Sequence, residues 1–164
     1  ILPMSVGRRL LEDDESVIIA EWRSMPKSNS SDSFTVACKY PEKNRYADVL
    51  ASDNTRVKLS PSNDNPDGYI NANFVSLPLC KVIASQAPLP DTFHEFWQMI
   101  WENKIKLLVM LTRLEERNRI KAHQYWPNSG ISNYGRYTVK MNRCRTKPDY
   151  DFRSLTISIT DDDE

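Results

Sequence analysis

The sequence predicts a mixed α/β (α+β) fold in which helices flank a central β-sheet. Three patterns indicate this class: short runs typical of β-strands, a strongly periodic helix after them at residues 92–103, and alternating apolar residues near the end of the chain. Because strands lie before and after the helix in sequence, we expect the helix to cover a sheet. The sequence shows no internal repeat.

The N-terminal part predicts one helix and a linker. Residues 11–25 begin with acidic side chains, which favour a helix N-terminus, and apolar Ile18, Trp22 and Met25 follow at helical spacing. Residues 26–33, PKSNSSDS, are mostly small and polar, so they have little to bury and predict a linker.

Three β-like runs follow this linker, at residues 56–59, 69–75 and 82–85. The stretch SPSNDNPDG between the first two runs predicts a turn-rich loop. Two later stretches also predict strands. The pentapeptide LLVML at residues 107–111 is continuously apolar, which is typical of a strand buried on both faces. Half-buried strands are predicted at residues 134–141 and at the alternating Leu155, Ile157 and Ile159.

The helix at residues 92–103 is the clearest element of the sequence. Thr92 and Glu95 have the spacing of a capping box, and Pro90 lies just ahead of them. We assign the aromatic YWP at residues 125–127 to the core together with one face of this helix. The apolar residues of that face are Phe93, Phe96, Trp97, Ile100 and Trp101.

Composition narrows the function classes. The 164 residues suit one domain or part of one, and 22 basic side chains balance 22 acidic ones. No net charge therefore attracts nucleic acid or an acidic membrane, and we expect neither as a partner. The longest apolar run is far shorter than the roughly 20 residues that cross a bilayer, and no targeting segment is recognisable.

The cysteines and histidines suggest no cofactor. Cys38, Cys80 and Cys144 lack the spacing of a zinc site or a disulfide framework, which favours a reducing, cytoplasmic setting. His94 and His123 are far apart in sequence, and a structural or surface role is favoured for each. GxxxxGK[ST], GxGxxG and HExxH are absent. We expect no metal and no coenzyme.

Five segments together carry a family resemblance. They are KNRYADV, DNTRVKL, GYINANFV, IASQAPLPDTFHEFWQMIWE and LLVMLTRLEERNRIKAHQYWP. In order and spacing they resemble the tyrosine-specific protein tyrosine phosphatase domain. The resemblance covers residues 43–164 and about the first half of that domain, and it implies a highly twisted mixed sheet. Residues 1–42 are interpreted as an N-terminal helical region and linker. Because Ile1 is not Met, we interpret the chain as an excised piece.

The resemblance implies a role for the segment KNRYADV at the mouth of the active-site cleft. Tyr46 would stack on the phosphotyrosine ring, and Asp48 would accept hydrogen bonds from backbone N–H groups of the bound peptide. A flat aromatic wall and a charge-assisted acceptor suit these tasks physically. The alternative for Tyr46 is a half-buried side chain that pins a loop. Asn44 and Arg45 are expected to organise the loop.

Two further positions are implied within RLEERNRIK, otherwise a solvated charge run. Glu116 matches the acid that orients the phosphate-binding arginine, and Lys121 matches a lysine near the loop of the general acid. The sequence departs from the family pattern at two places. Gly68 stands where the family usually has Asp and so loses an acceptor. Ala87 replaces a usual Gly and is tolerable if its φ stays negative.

No catalytic residue is predicted in this chain. The family needs a cysteine nucleophile and an arginine from HCx5R and a general-acid aspartate from a WPD loop. YWP is followed by Asn128 and does not supply that loop. The residues six positions beyond the three cysteines are Asn44, Gln86 and Tyr150, none of them arginine.

The resemblance implies an enzyme only after completion. The remaining half of the domain and a phosphotyrosine-containing protein are the expected partners, and the 164 residues alone are expected to be inactive. The completed domain would be a protein tyrosine phosphatase that works through a cysteinyl-phosphate intermediate. It could form the cytoplasmic part of a larger protein. The alternative is a pseudophosphatase that binds phosphotyrosine proteins or a kinase without turnover. A structural module unrelated to phosphate would make five ordered motifs a coincidence.

Overall fold

The computed structural model describes residues 15–25 and 32–160. The chain divides into two compact units, residues 1–32 and residues 33–164. In the first unit, helix α1 (Glu15–Ser24) confirms part of the predicted N-terminal helix. The beginning of that prediction, residues 11–14, and residues 26–31 of the predicted linker lie outside the described residues. Within the described ranges, no helix has the length and hydropathy needed to span a membrane.

The second unit begins with a three-stranded antiparallel sheet. Its strands are β1 (Arg56–Lys58), β2 (Tyr69–Ser76) and β3 (Lys81–Ser85), in the order β1-β2-β3. All three confirm the predicted strands. The first half of β2 is buried and its second half is exposed, so this sheet is covered only at the end that follows the turn-rich loop.

Helix α2 (Phe93–Glu102) confirms the strongest prediction, but two details of it were wrong. A 3₁₀ turn, Pro90–Thr92, leads into the helix, and Thr92 Oγ1 accepts a hydrogen bond from the Leu89 N–H at 2.9 Å instead of capping α2. The predicted capping box therefore does not form, and Glu95 bonds elsewhere. Trp101 is 41% exposed and lies at the edge of the core, because the helix ends one residue later.

The predicted buried strand LLVML is also wrong. Residues 105–111 form no regular element, and the exposed fractions of Leu107 and Leu111 are 77% and 92%. A strand exists through the ladders on either side of it, and none of the described strands pairs with this segment. A short hairpin follows, with β4 (Glu115–Glu116) and β5 (Arg119–Ile120) joined by two turn residues.

The last sheet is again antiparallel, in the order β6-β7-β8. Its strands are β6 (Ile131–Tyr134), β7 (Tyr137–Thr146) and β8 (Asp151–Ile159). The strand predicted at residues 134–141 is thus divided by a tight turn, and β7 continues beyond its predicted end. The α+β class is confirmed. The described strands do not form the single mixed sheet that the resemblance implied, because they lie in three separate sheets and every strand pair is antiparallel.

The main core lies where α2 meets the two three-stranded sheets. Trp97 is buried there, and its indole N–H donates to the Tyr125 carbonyl at 2.9 Å. A second, smaller cluster packs under residues 34–51 around Tyr69, whose ring stacks on Tyr40 with centroids 5.5 Å apart. The main cluster contains Val57, Leu59, Ile70, Ala72, Phe96, Trp97, Met99, Ile100, Tyr125, Tyr137 and Val139.

Candidate functional site

The recognition loop, residues 43–49, follows directly from a 3₁₀ helix, Pro41–Lys43. Tyr46 and Asp48 lie at its tip and are both exposed, with 43% of Tyr46 accessible. At this tip the Val49 N–H donates a weak turn bond to the Tyr46 carbonyl at 3.4 Å, and Tyr46 interacts electrostatically with Arg45. Both side chains are therefore accessible to a ligand.

Asn44 holds the start of the loop with its whole amide group. The Nδ2 atom donates two hydrogen bonds, and Oδ1 accepts two. Burial raises the pKa of Tyr69 to about 12, so its hydroxyl stays protonated and donates to Oδ1 at 2.5 Å. Asn44 thus organises the loop, as expected. Its four partners are Ala37 O, Tyr40 O, Tyr69 OH and Asn71 Nδ2.

Arg45 ties the loop to the segment that precedes α2. Its guanidinium donates to the carbonyls of Ala87 at 3.0 Å and Pro88 at 2.8 Å. Its Nη2 also lies 3.3 Å from His123 Nδ1, which can accept only when that ring nitrogen carries no proton, because arginine has no acceptor. Burial lowers the pKa of Arg45 from its usual value. Arg45 is therefore used structurally, as expected.

Gln86 clamps the backbone on both sides of Asn44. Its Oε1 accepts from the Arg45 N–H at 2.9 Å, and its Nε2 donates to the Lys43 carbonyl at 2.8 Å. The next residue, Ala87, does not adopt a positive φ, so the family's usual glycine is not required there. The clamp makes residues 43–45 one fixed unit.

A buried ion pair completes the anchoring of the loop. Lys43 Nζ donates to Glu95 Oε1 at 2.6 Å, and the two side chains are 14% and 3% exposed. The Lys43 ammonium also lies 5.4 Å from the centre of the Tyr40 ring, within the range of a cation–π contact. Sequence reasoning missed Glu95 and Gln86. The one available signal was an acidic residue directly before the core residue Phe96.

Glu116 and Lys121 lie at the β4–β5 hairpin. Glu116 Oε1 accepts from the Arg113 N–H at 3.0 Å, and the Lys121 N–H donates to the Leu114 carbonyl at 2.8 Å. Both side chains are half-buried. In the part of the chain that the structure describes, no hydrogen bond or ion pair joins them to Tyr46 or Asp48. The predicted site residues therefore form two groups.

Gly68 has a conformational reason for departing from the family's usual residue. Its φ is +55°, in the left-handed region, and an added Cβ would overlap the Leu59 carbonyl oxygen. Glycine is thus required by this backbone, and the acceptor that an aspartate would supply cannot be placed here without rebuilding the turn.

The cysteines offer no site. Cys38, Cys80 and Cys144 are all exposed and unpaired. No group of three or more metal-ligating side chains converges within residues 15–25 and 32–160. Together with the missing HCx5R pattern, this leaves the described residues without the family's phosphate-transfer centre.

Comparison with known proteins identifies the family. The family model for protein-tyrosine phosphatase matches residues 40–164. Human receptor-type tyrosine-protein phosphatase C is 39% identical over 157 residues, which is 92% of this chain and 12% of that protein. Human receptor-type tyrosine-protein phosphatase alpha is 36% identical over 166 residues, which is 98% of this chain and 21% of that protein.

The same relationship extends to fish. Receptor-type tyrosine-protein phosphatase F of Danio rerio is 47% identical over 102 residues, which is 60% of this chain and 5% of that protein. The chain belongs to the protein-tyrosine phosphatase family, as the motifs predicted. It spans about a fifth or less of the length of these three relatives.

Proposed function

We propose that the protein containing this chain removes phosphate from phosphotyrosine in other proteins, and that the recognition loop forms one wall of its active-site cleft. The exposed Tyr46 and Asp48, carried on a loop that buried partners hold in place, are the observation that supports this most directly. The preceding residues Lys43, Asn44 and Arg45 form hydrogen bonds to other segments of the chain. Tyr46 and Asp48 are the exposed side chains of the loop that we assign to ligand binding.

Tyr46 suits a phosphorylated aromatic ring. Its flat face can stack on the substrate ring, and such offset stacking contributes about 1 kcal/mol beyond the buried area. A wall of this height also discriminates against phosphoserine, whose short side chain cannot carry its phosphate to the bottom of the cleft. Tyr46 therefore sets the class of phosphorylated residue.

Asp48 suits the peptide on either side of that ring. A carboxylate that accepts backbone N–H groups makes charge-assisted hydrogen bonds, which are stronger than neutral ones. Because every peptide offers such N–H groups, the contact fixes the direction of the chain without requiring a particular neighbouring side chain. Asp48 thereby favours proteins and peptides over small phosphate esters.

Glu116 and Lys121 support the reacting groups in this proposal. One carboxylate oxygen of Glu116 already accepts from the Arg113 backbone, and the other can orient a guanidinium fork toward phosphate. Lys121, one residue after β5, would lie beside the loop that carries the general acid. Both residues act through groups that the remaining half of the domain supplies.

That remaining half would also cover the apolar surface next to α2. Residues 107–111 expose leucine side chains, and an open groove of about 560 Å³ lies beside Trp101, Ile105 and Leu155. Burying one leucine side chain contributes about 1.5–3 kcal/mol. Strands added on either side of residues 107–111 would bury this surface and complete the sheet.

The chemistry belongs to groups outside this chain. A cysteine thiolate attacks phosphorus, and the P–O bond to tyrosine breaks as an aspartic acid gives its proton to the leaving oxygen. Water then hydrolyses the cysteinyl phosphate and releases inorganic phosphate. The residues of this chain bind and orient the substrate for these steps.

Substitutions at the loop tip, made in the full-length protein, test the proposal. Tyr46→Ala should raise KM for a phosphotyrosyl peptide by about tenfold, the equivalent of about 1.4 kcal/mol, while Tyr46→Phe should keep the wall and the parent KM. Asp48→Ala should impair the peptide far more than a small aryl phosphate. Steady-state kinetics on both substrates, with thermal unfolding as the folding control, supply the readout.

Two results would contradict the proposal. Equal KM values for Tyr46→Ala and the parent protein would remove Tyr46 from the cleft. Equal losses on peptide and aryl phosphate for Asp48→Ala would show that the carboxylate does not hold peptide backbone.

A further inference from the structure

The Lys43–Glu95 ion pair joins the recognition loop to the core helix. Lys43 ends the 3₁₀ helix that leads into the loop, and Glu95 lies in the first turn of α2. The two residues are 52 positions apart in sequence, yet their charged atoms are 2.6 Å apart, and their side chains are 14% and 3% exposed. Such a contact fixes the base of the loop against α2.

Glu95 is ionised in this setting. Burial alone would raise the pKa of its carboxyl, but the nearby Lys43 and His94 outweigh burial and lower it. The carboxylate therefore acts as a fixed negative charge below the loop at neutral pH.

Lys43 is the described hydrogen-bond donor to the Glu95 carboxylate. Glu95 Oε2 is buried and accepts no hydrogen bond from any described residue, although His94 Nδ1 lies 3.2 Å away. If an apolar side chain replaced Lys43, Glu95 Oε1 would lose its hydrogen-bond donor as well.

Stability alone does not explain a buried ion pair. Replacing such a pair by apolar side chains of similar volume is often neutral or stabilising, because removing two charges from water is costly. What an ion pair adds is a defined position, since a charge tolerates little displacement from its partner in a low-dielectric interior. Apolar side chains can slide over one another at much lower cost.

A short route connects the pair to the loop tip. The Gln86 clamp holds the Lys43 carbonyl and the Arg45 N–H, so the position of Lys43 is transmitted to Arg45. Tyr46 follows directly in the chain. A shift of the Lys43 side chain therefore moves the base on which the aromatic wall stands.

We propose that Glu95 is a positioning residue for phosphotyrosine recognition: as the buried counter-ion of Lys43, it sets the height and direction of the Tyr46 wall. This inference rests on the proposed function of the recognition loop and extends it to a residue that does not touch substrate.

Three variants of the full-length protein test this role. Glu95→Gln keeps the shape and removes the charge, Lys43→Met removes the opposite charge, and the double variant replaces the pair by Lys43→Met and Glu95→Leu. Lys39→Met is the matched control, because Lys39 forms a 3.1 Å ion pair with Asp67 whose side chains are 54% and 31% exposed. Exposed pairs of this kind contribute little.

The measurements are the affinity for a phosphotyrosyl peptide and the rate of amide hydrogen exchange in the recognition loop. Each single variant should weaken binding of a phosphotyrosyl peptide about tenfold, if about a tenth of the molecules keep a competent loop. Binding of inorganic phosphate should stay at the parent value, as should peptide binding by Lys39→Met. The double variant should regain thermal stability without regaining peptide affinity, and hydrogen exchange at Tyr46 and Asp48 should be faster than in the parent.

The outcomes separate the two proposals. If the parent binds phosphotyrosyl peptide and Glu95→Gln binds it equally well, the positioning role fails while the proposed function survives. If the double variant recovers affinity together with stability, Glu95 is structural and the positioning role also fails. If the parent itself binds no phosphotyrosyl peptide, the proposed function fails and the recognition role of Glu95 fails with it.

Discussion

The recognition loop and the β4–β5 hairpin both carry proposed site residues, but they are ordered in different ways. The loop is held from behind by buried partners on three other segments, through Asn44, Arg45 and Lys43. The hairpin has a ladder of two residue pairs and a turn of its own. Its attachment at the base consists of two N–H groups that share the Leu114 carbonyl.

The difference shows which part of the site this chain builds by itself. The loop that would touch substrate is preorganised by contacts within the described residues, as precise recognition requires. The hairpin carries the half-buried Glu116 and Lys121 on or beside a ladder of two residue pairs. Perturbations of the loop anchors should therefore be costly, and perturbations of the hairpin should be mild.

The largest effect is expected at Asn44. Asn44→Ala removes the acceptor of the Tyr69 hydroxyl and of Asn71 Nδ2, both in buried surroundings, so unsatisfied polar groups remain. The free energy of unfolding should fall by about 2–4 kcal/mol: about 1–3 kcal/mol for the orphaned Tyr69 hydroxyl and about 1 kcal/mol for Asn71, whose Nδ2 keeps its bond to the Val49 carbonyl. Urea denaturation gives this value, and Tyr69→Phe is the milder control. A loss below about 0.5 kcal/mol would mean that the loop is not anchored here.

A pH-dependent effect is expected at Glu95. Because its folded-state pKa is lowered below the ordinary 4.5, the carboxylate stabilises the fold above that pH. The contribution is lost as pH falls through the folded-state pKa. The stability deficit of Glu95→Gln should accordingly be largest near neutral pH and shrink in acid, as measured by denaturation at several pH values. A deficit that stays constant down to acid pH would refute an ionised Glu95.

The smallest effect is expected in the hairpin turn. Arg117 and Asn118 have φ values of 51° and 57°, as in the two-residue turns that favour glycine. Arg117→Gly should relieve this strain and stabilise the domain by at most about 1 kcal/mol, since glycine also makes the unfolded chain more flexible. The matched change Arg119→Gly in strand β5 should destabilise it. Thermal unfolding distinguishes the two signs, and a shared sign would contradict the strain argument.

Local signals in the sequence predicted most of the fold. The helical period of apolar residues in α2 and their alternation in β8 arise because one face of each element is buried against a neighbouring layer. Such a pattern is visible in the local sequence. LLVML was misassigned because apolar content indicates what a segment can bury, whereas a strand also needs partners with free backbone groups. The capping box failed because the 3₁₀ turn had already engaged Thr92.

The residues of the candidate site also differ in whether a local sequence pattern marks them. Tyr46 and Asp48 could be singled out because a contiguous motif carries them. Glu95 and Gln86 could not, since their bonds to the loop cross 52 and 41 residues and leave no periodic trace. Long-range polar contacts are a property of the folded chain, and a single sequence does not display them.

The uncovered pentapeptide at residues 107–111 has a practical consequence for anyone purifying this polypeptide. An uncharged, β-prone apolar segment left in water is a seed for cross-β assembly. Lys106 and Arg113 flank it and act as charged gatekeepers that slow such stacking. Acetylation or an amine-reactive label at Lys106 would remove one of these two charges and favour aggregation, so labelling chemistry that spares lysine suits this chain better.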